Sequence, residues 1–319
     1  MIKISLLILA SILALVTSNA DYSGCPDSST LRPCSCLHRP GSNALICTGI
    51  SKQGILNIFN DTTDWTFFTL FIHRSRINYI PFTSLRSKKF KNILVANSHL
   101  NSLFDEDSGV YNGTEIIHLN DVHFDEGFKW TWFRPLKQIT YLNLQFMHMP
   151  TLGEEVTENL SKGLEHFLMS NTHTTNLADG VFRNFNNLLE IKIRNSQVTN
   201  LKRTMFPLPS KMQKFDFTAN LLQTLPDDLF LNMPHLKVIR LGENRISLLS
   251  HSVFGIVYQQ LDFLDLTGNP LKCDCSLRWL EREDRKVVAG NCILPEMKRG
   301  ESLTNLNNDD FKECLEITS

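Results

Sequence analysis

Charge of either sign is nearly cancelled in this sequence: 32 Lys and Arg stand against 33 Asp and Glu, a net charge of −1. That lack excludes the basic footprint of a general nucleic-acid binder, and equally the charge excess of a disordered tail. Cysteine is missing from the 225 positions between Cys47 and Cys273, although eight occur in the 319 residues. There is no G-x-S-x-G elbow, no glycine-rich phosphate loop and no H-E-x-x-H helix, so the usual signatures of hydrolases, nucleotide enzymes and zinc proteases are absent. No enzyme activity, cofactor or resident metal is therefore expected. Long apolar runs are lacking too. The run Leu6 to Val16 spans eleven residues, well short of the roughly 20 that a membrane-crossing helix needs.

What is present begins with an address. Lys3, the Leu6 to Val16 run and the small residues Ser18 and Ala20 ahead of Asp21 read as a secretory signal peptide over residues 1–20. The expected location is the extracellular space, and the polar stretch Leu315 to Ser319 offers no lipid-anchor signal. In that oxidising setting the cysteines read as disulfides. They form two groups, Cys25, Cys34, Cys36, Cys47 and Cys273, Cys275, Cys292, Cys314, each allowing three pairings. Zinc held by a Cys-x-Cys pair is the competing reading. Sequons at Asn60, Asn112 and Asn159 mark expected glycosylation, in keeping with secretion.

Between the cysteine groups the chain repeats itself. On the template L-x-x-L-x-L-x-x-N-x-L, the second apolar anchor falls at Leu70, Ile93, Ile117, Leu142, Phe167, Ile191, Phe215, Ile239 and Leu264, with steps of 23 to 25 residues. Phe182, Phe206, Phe230 and Phe254 recur every 24 residues. Abundance of Leu and Phe alone would not hold phase through nine copies. The pattern resembles the extracellular leucine-rich-repeat family. The resemblance implies an α/β solenoid, a curved horseshoe with a concave parallel β-sheet and a mostly irregular convex side. Its expected divisions are an amino-terminal cap at 21–60, nine repeats of about 24 residues at 61–268 and a carboxy-terminal cap at 269–319. The runs Cys25-x8-Cys34-x-Cys36-x10-Cys47 and Asn269-Pro270-Leu271-Lys272-Cys273-Asp274-Cys275, followed by Trp279, Cys292 and Cys314, resemble the two caps of that family. The resemblance implies the pairs Cys25–Cys36, Cys34–Cys47, Cys273–Cys292 and Cys275–Cys314, with Trp279 as a lid on the last repeat. Within the family, Cys25-Pro26, Pro33-Cys34-Ser35-Cys36 and Cys47-Thr48-Gly49-Ile50 look like secreted arthropod proteins that include the non-catalytic subunit of Oplophorus luciferase.

Period-two alternation sends the anchors inward and their neighbours outward. The early copies then offer Phe71, His73, His118, Tyr141, Asn143 and Gln145, and the later ones Lys192, Arg194, Asp216 and Arg240. An apolar, aromatic half beside a mixed-charge half suits a protein ligand, with anchors for affinity and charges for orientation. The asparagine column is filled by Asn only at Asn220, Asn244 and Asn269; Val122 and Met147 cannot hydrogen-bond usefully, which predicts turns there that are looser or recruit water. His99, His123, His148 and His173 share the next template position. They read as a polar, solvent-facing row, with a metal-binding or acid-sensing site as the sharper alternative. The leading functional expectation is a secreted, non-enzymatic recognition or adhesion module whose partner is an extracellular protein. The alternatives are an accessory subunit of a secreted enzyme and a structural matrix component.

Overall fold

The structure, a computed structural model, describes residues 24–38, 40–51, 65–105, 109–282 and 287–315. The signal peptide expected at 1–20 and the sequon at Asn60 lie outside the described residues. No helix among those described is long and apolar enough to cross a membrane. The chain forms two compact units, Met1–Leu136 and Lys137–Ser319.

In the first unit a hairpin pairs Cys34–Leu37 antiparallel with Ala44–Thr48. From there the pairing is parallel, running to Thr69–His73, Asn92–Leu100 and Ile116–Phe124. The register aligns Leu45, Leu70, Ile93 and Ile117 side by side, each at most 1% exposed. In the second unit a parallel ladder runs through Tyr141–Gln145, His166–Ser170, Glu190–Arg194, Lys214–Asp216, Val238–Arg240, Phe263–Asp265 and Val288–Ala289. Its register aligns Leu142, Phe167, Ile191, Phe215, Ile239, Leu264 and Val288, again at most 1% exposed. All nine predicted anchors thus lie buried on parallel strands, three in the first unit's ladder and six in the second's. Each buried Leu, Ile or Phe contributes roughly 1.5–3 kcal/mol, gained only against a neighbouring copy, so no copy is stable by itself.

The return segments carry only short helices, at Phe82–Lys88, Glu154–Asn159 and His251–Tyr258. The phenylalanine series packs beneath the second unit's sheet. Phe182 stacks on Phe206 at 6.1 Å, Phe215 stands edge-on between Phe206 and Phe230 at 5.4 and 5.3 Å, and Phe254 lies 5.8 Å beyond Phe230. The four periodic rings are at most 1% exposed.

Both cysteine groups are oxidised, pairing Cys25 with Cys36, Cys34 with Cys47, Cys273 with Cys292 and Cys275 with Cys314. No free thiol remains among the described residues, so the Cys-x-Cys zinc reading has no thiolate to use. Both caps also extend the ladders, through Leu45 paired with Leu70 and Val288 paired with Leu264. Trp279 covers the last repeats from a 3-10 helix, Cys275–Arg282, with its indole N–H donating to the Leu249 carbonyl at 3.2 Å and its ring edge-on to Tyr258.

The asparagine column behaves in two ways. Asn244 accepts from the Leu222 amide at 3.0 Å and donates to the carbonyls of Phe217 and Leu241, both at 2.9 Å, tying two turns together; Asn220 and Asn269 do the same. Ser75 and Ser98 reproduce the acceptor half, taking the Ile50 and Ser75 amides at 3.1 Å. At Val122 the chain turns as in the other copies, with Asp121 in the left-handed region at φ 53°. The sheet continues to Phe124, Val122 pairs in register with Ser98, and ladder hydrogen bonds replace the missing side chain. At Met147 the chain turns after Gln145, and the neighbouring amides of Phe146 and Met149 donate to Ser170 and Thr172 at 3.0 and 2.8 Å. Backbone pairing does the capping in both places.

Candidate functional site

The core side of each strand is fixed by its anchors, so every alternate residue stands on the opposite, outward face. In the first unit Phe71, Leu94 and His118 are register partners across three strands, all half-buried. Phe71 also stacks on His73, centroids 5.8 Å apart and rings inclined by 11°. His73 is only 8% exposed. Burial pushes its imidazole down from the ordinary histidine value, Arg74 adds to this, and a hydrogen bond with Asn97 opposes it. Burial also lowers His118. Both therefore favour the neutral form.

In the second unit the outward face grades from aromatic to charged. Tyr141 lies against His166 at 5.6 Å, and His166 Nδ1 sits 3.1 Å from a Glu190 carboxylate oxygen. Burial raises the Tyr141 hydroxyl above its usual value. Asn143 is buried and accepts from the Gln145 amide at 3.1 Å. On the same rung level follow Lys192, Asp216, Arg240 and Asp265, strand by strand, with charges that alternate in sign.

Asp216 organises this patch. Its side chain is 2% exposed, and it accepts from Arg194 Nε at 2.7 Å, with the Arg194 terminal nitrogen in contact and Arg240 at 3.9 Å. Its second oxygen takes the Thr218 amide and hydroxyl at 3.2 and 2.8 Å. Asp216, expected on the ligand-facing side, spends both oxygens on these contacts within the fold. Asn143 and His73, expected on the same side, are buried. Phe71, His118, Tyr141, Gln145, Lys192, Arg194 and Arg240 keep exposed surface. Lys192 is lowered by burial and by the nearby Arg194, with the Glu190 and Asp216 carboxylates acting in the opposite sense.

The four histidines of the shared template position fall into two pairs. His99 and His123 are register partners with ring centroids 4.5 Å apart, and His148 and His173 lie 5.9 Å apart. The sequence reading missed Asp125, whose Oδ1 lies 2.5 Å from His99 Nε2 and 3.9 Å from His123 Nε2. The His99 hydrogen bond holds that carboxyl below its usual range. Asp125 lies in the turn just past the strand Ile116–Phe124, where strand alternation no longer says which way a side chain faces. Of the sequons, Asn112 is exposed, whereas Asn159 is 4% exposed and donates to the Glu155 carbonyl at 2.8 Å.

Comparison with known proteins agrees with this geometry. The Leucine rich repeat family model matches residues 210–271. Mouse (Mus musculus) nephrocan is 25% identical over 145 residues, covering 44% of this chain and 28% of nephrocan. Human (Homo sapiens) chondroadherin is 32% identical over 97 residues, covering 29% of this chain and 25% of chondroadherin. The chain thus spans about a quarter of the length of these curated relatives. Among solved structures, a chain of the octameric complex of latrophilin 3, Unc5D and the leucine-rich-repeat part of FLRT2 superimposes with a TM-score of 0.61 at 18% identity, covering 84% of this chain and 89% of that one. With nine buried anchors in phase, the chain has the leucine-rich-repeat solenoid fold, and its residues 210–271 are similar to the Leucine rich repeat family.

Proposed function

We infer that this chain is a non-enzymatic, extracellular protein-binding module, and that it captures its partner on the outward sheet face of the second unit between Tyr141 and Arg240. The observation that carries this reading is the Asp216 anchor. It fixes two guanidinium groups beside a half-buried Lys192 and a Tyr141–His166 aromatic pair, so the patch is ordered before any partner arrives. A surface held in place loses less side-chain entropy on binding. Aromatic and arginine side chains are also those that most often dominate interface energetics. The matching partner surface presents carboxylates around an apolar centre. Disulfides at both ends of the repeats and the relatives' names support an extracellular setting.

The test is affinity for the native partner, obtained by capture from secreted fluid. Tyr141→Ala and Lys192→Ala should each weaken capture by about tenfold, the effect of losing a hot-spot side chain worth somewhat more than 1 kcal/mol. Arg194→Ala is the poorer probe, because it also strips a buried carboxylate of its cation. Undiminished affinity in both variants would move the site off this face. The finer assignment, an accessory subunit of a secreted enzyme akin to the arthropod proteins, rests on the amino-terminal cysteine run. It calls for a stoichiometric enzyme complex in the same capture. A matrix role calls instead for protein extractable only by denaturant.

A further inference from the structure

Three metal-ligating side chains converge at the strand ends of the first unit. His99 and His123 face each other from adjacent parallel strands as register partners. Asp125 joins from two residues beyond His123. One ligand atom from each of the three lies within 4.8 Å of the others, the one such grouping of three among the described residues. We propose that His99, His123 and Asp125 bind a divalent transition metal of the zinc class.

The geometry is close to what such an ion requires. Zinc bonds of about 2.0–2.1 Å in a tetrahedron place donor atoms about 3.3 Å apart. The two carboxylate distances, 2.5 Å to His99 and 3.9 Å to His123, lie on either side of that value. Movements of less than about 1 Å by partly exposed side chains close the set, while the paired backbones keep the two histidines opposed. Ser98 and Val122, buried immediately before the histidines, hold both strand ends against the core. Two imidazoles with one carboxylate select zinc, nickel or copper over magnesium and calcium, which prefer all-oxygen shells. Three protein ligands leave a coordination position for solvent or for an incoming donor.

The surroundings balance charge. Beside the histidines lies a hollow of about 590 Å³ lined by Arg74, Arg76, Asn97 and Asp121. Arg76, the register partner of His99, opposes a cation, and Asp121 and Asp125 offset the two guanidinium groups. The His148–His173 pair has no comparable third donor among the described residues, and its rings stand farther apart. The four-residue histidine row thus resolves into one three-ligand site and one ordinary pair.

The test is titration of the full chain with zinc chloride, followed by calorimetry and by the histidine ring signals in NMR. One equivalent should bind in the micromolar range, moving the His99 and His123 signals and leaving those of His148 and His173 in place. Asp125→Asn and His123→Asn should each weaken binding by about tenfold or more with an unchanged thermal melt, the scale expected when a site loses one of its partners. His148→Asn should bind like the parent, and magnesium should give no response. Absence of heat and of shifts at millimolar zinc would overturn the proposal. So would parental affinity in Asp125→Asn, or equal weakening by His148→Asn.

Discussion

Placing the Asp216 carboxylate at 2% exposure would cost several kcal/mol if nothing met it. Arg194, Arg240 and Thr218 do meet it, which turns a residue of the outward face into part of the framework. Alternation along the strand told which face Asp216 occupies. It could not tell depth, because long arginine side chains from neighbouring rungs lie over it, and side-chain reach has no period. His73 makes the same point with a measurable consequence. Its depressed imidazole means that the unfolded chain binds a proton at higher pH than the folded one. The contribution of His73 to stability is therefore fully present above about 6.5, the ordinary histidine value, and is lost as the pH falls below it. The melting temperature should drop on acidification through that range, and His73→Gln should flatten part of the drop. A parent and variant with identical pH profiles would contradict this. In the core, Phe230→Ala should cost about 3–5 kcal/mol, read from denaturant unfolding, because Phe230 is fully buried between Phe215 and Phe254.

At the scale of the single repeat, strand and turn depend on different chemistry. The strand positions were legible because buried anchors must recur with the repeat, and all nine sit on strands. The turns were legible only where Asn or Ser fills the ninth position. At Val122 the sequence pointed to a weak turn, yet the turn at Asp121, φ 53°, is held inside paired strands, Asn92–Leu100 and Ile116–Phe124. Backbone ladders satisfy the same groups there, and composition cannot reveal such a substitution. The asparagine copies have no alternative. Asn244→Ala leaves the Leu222 amide without its acceptor, while the Phe217 and Leu241 carbonyls keep Asn220 and Asn269 as donors. For one unsatisfied buried group the loss should be about 1–3 kcal/mol in urea unfolding. Hydrogen exchange should quicken first at Leu222. A change below about 0.5 kcal/mol would mean that water replaces the side chain without cost.

For the molecule as a whole, function follows from what a repeat fold leaves over once the core is satisfied. The anchors, the phenylalanine series, the asparagine ladder and the disulfides are consumed in holding copies together. The sheet face opposite the core is not, and there the sequence varies from copy to copy instead of repeating. Its gradient from aromatic to charged was legible in the sequence, while its anchoring by Asp216 and the convergence of Asp125 with two histidines needed the register of neighbouring strands. The central claim is that a partner docks on the outward face of the second unit. Site-specific photo-cross-linking with the native partner tests it most directly, with the reactive group placed in turn at Tyr141, Lys192, Leu208 and Ile256. The last two are exposed on segments between the strands. The account predicts covalent adducts from Tyr141 and Lys192 and none from Leu208 or Ile256; adducts from the latter pair alone would contradict it.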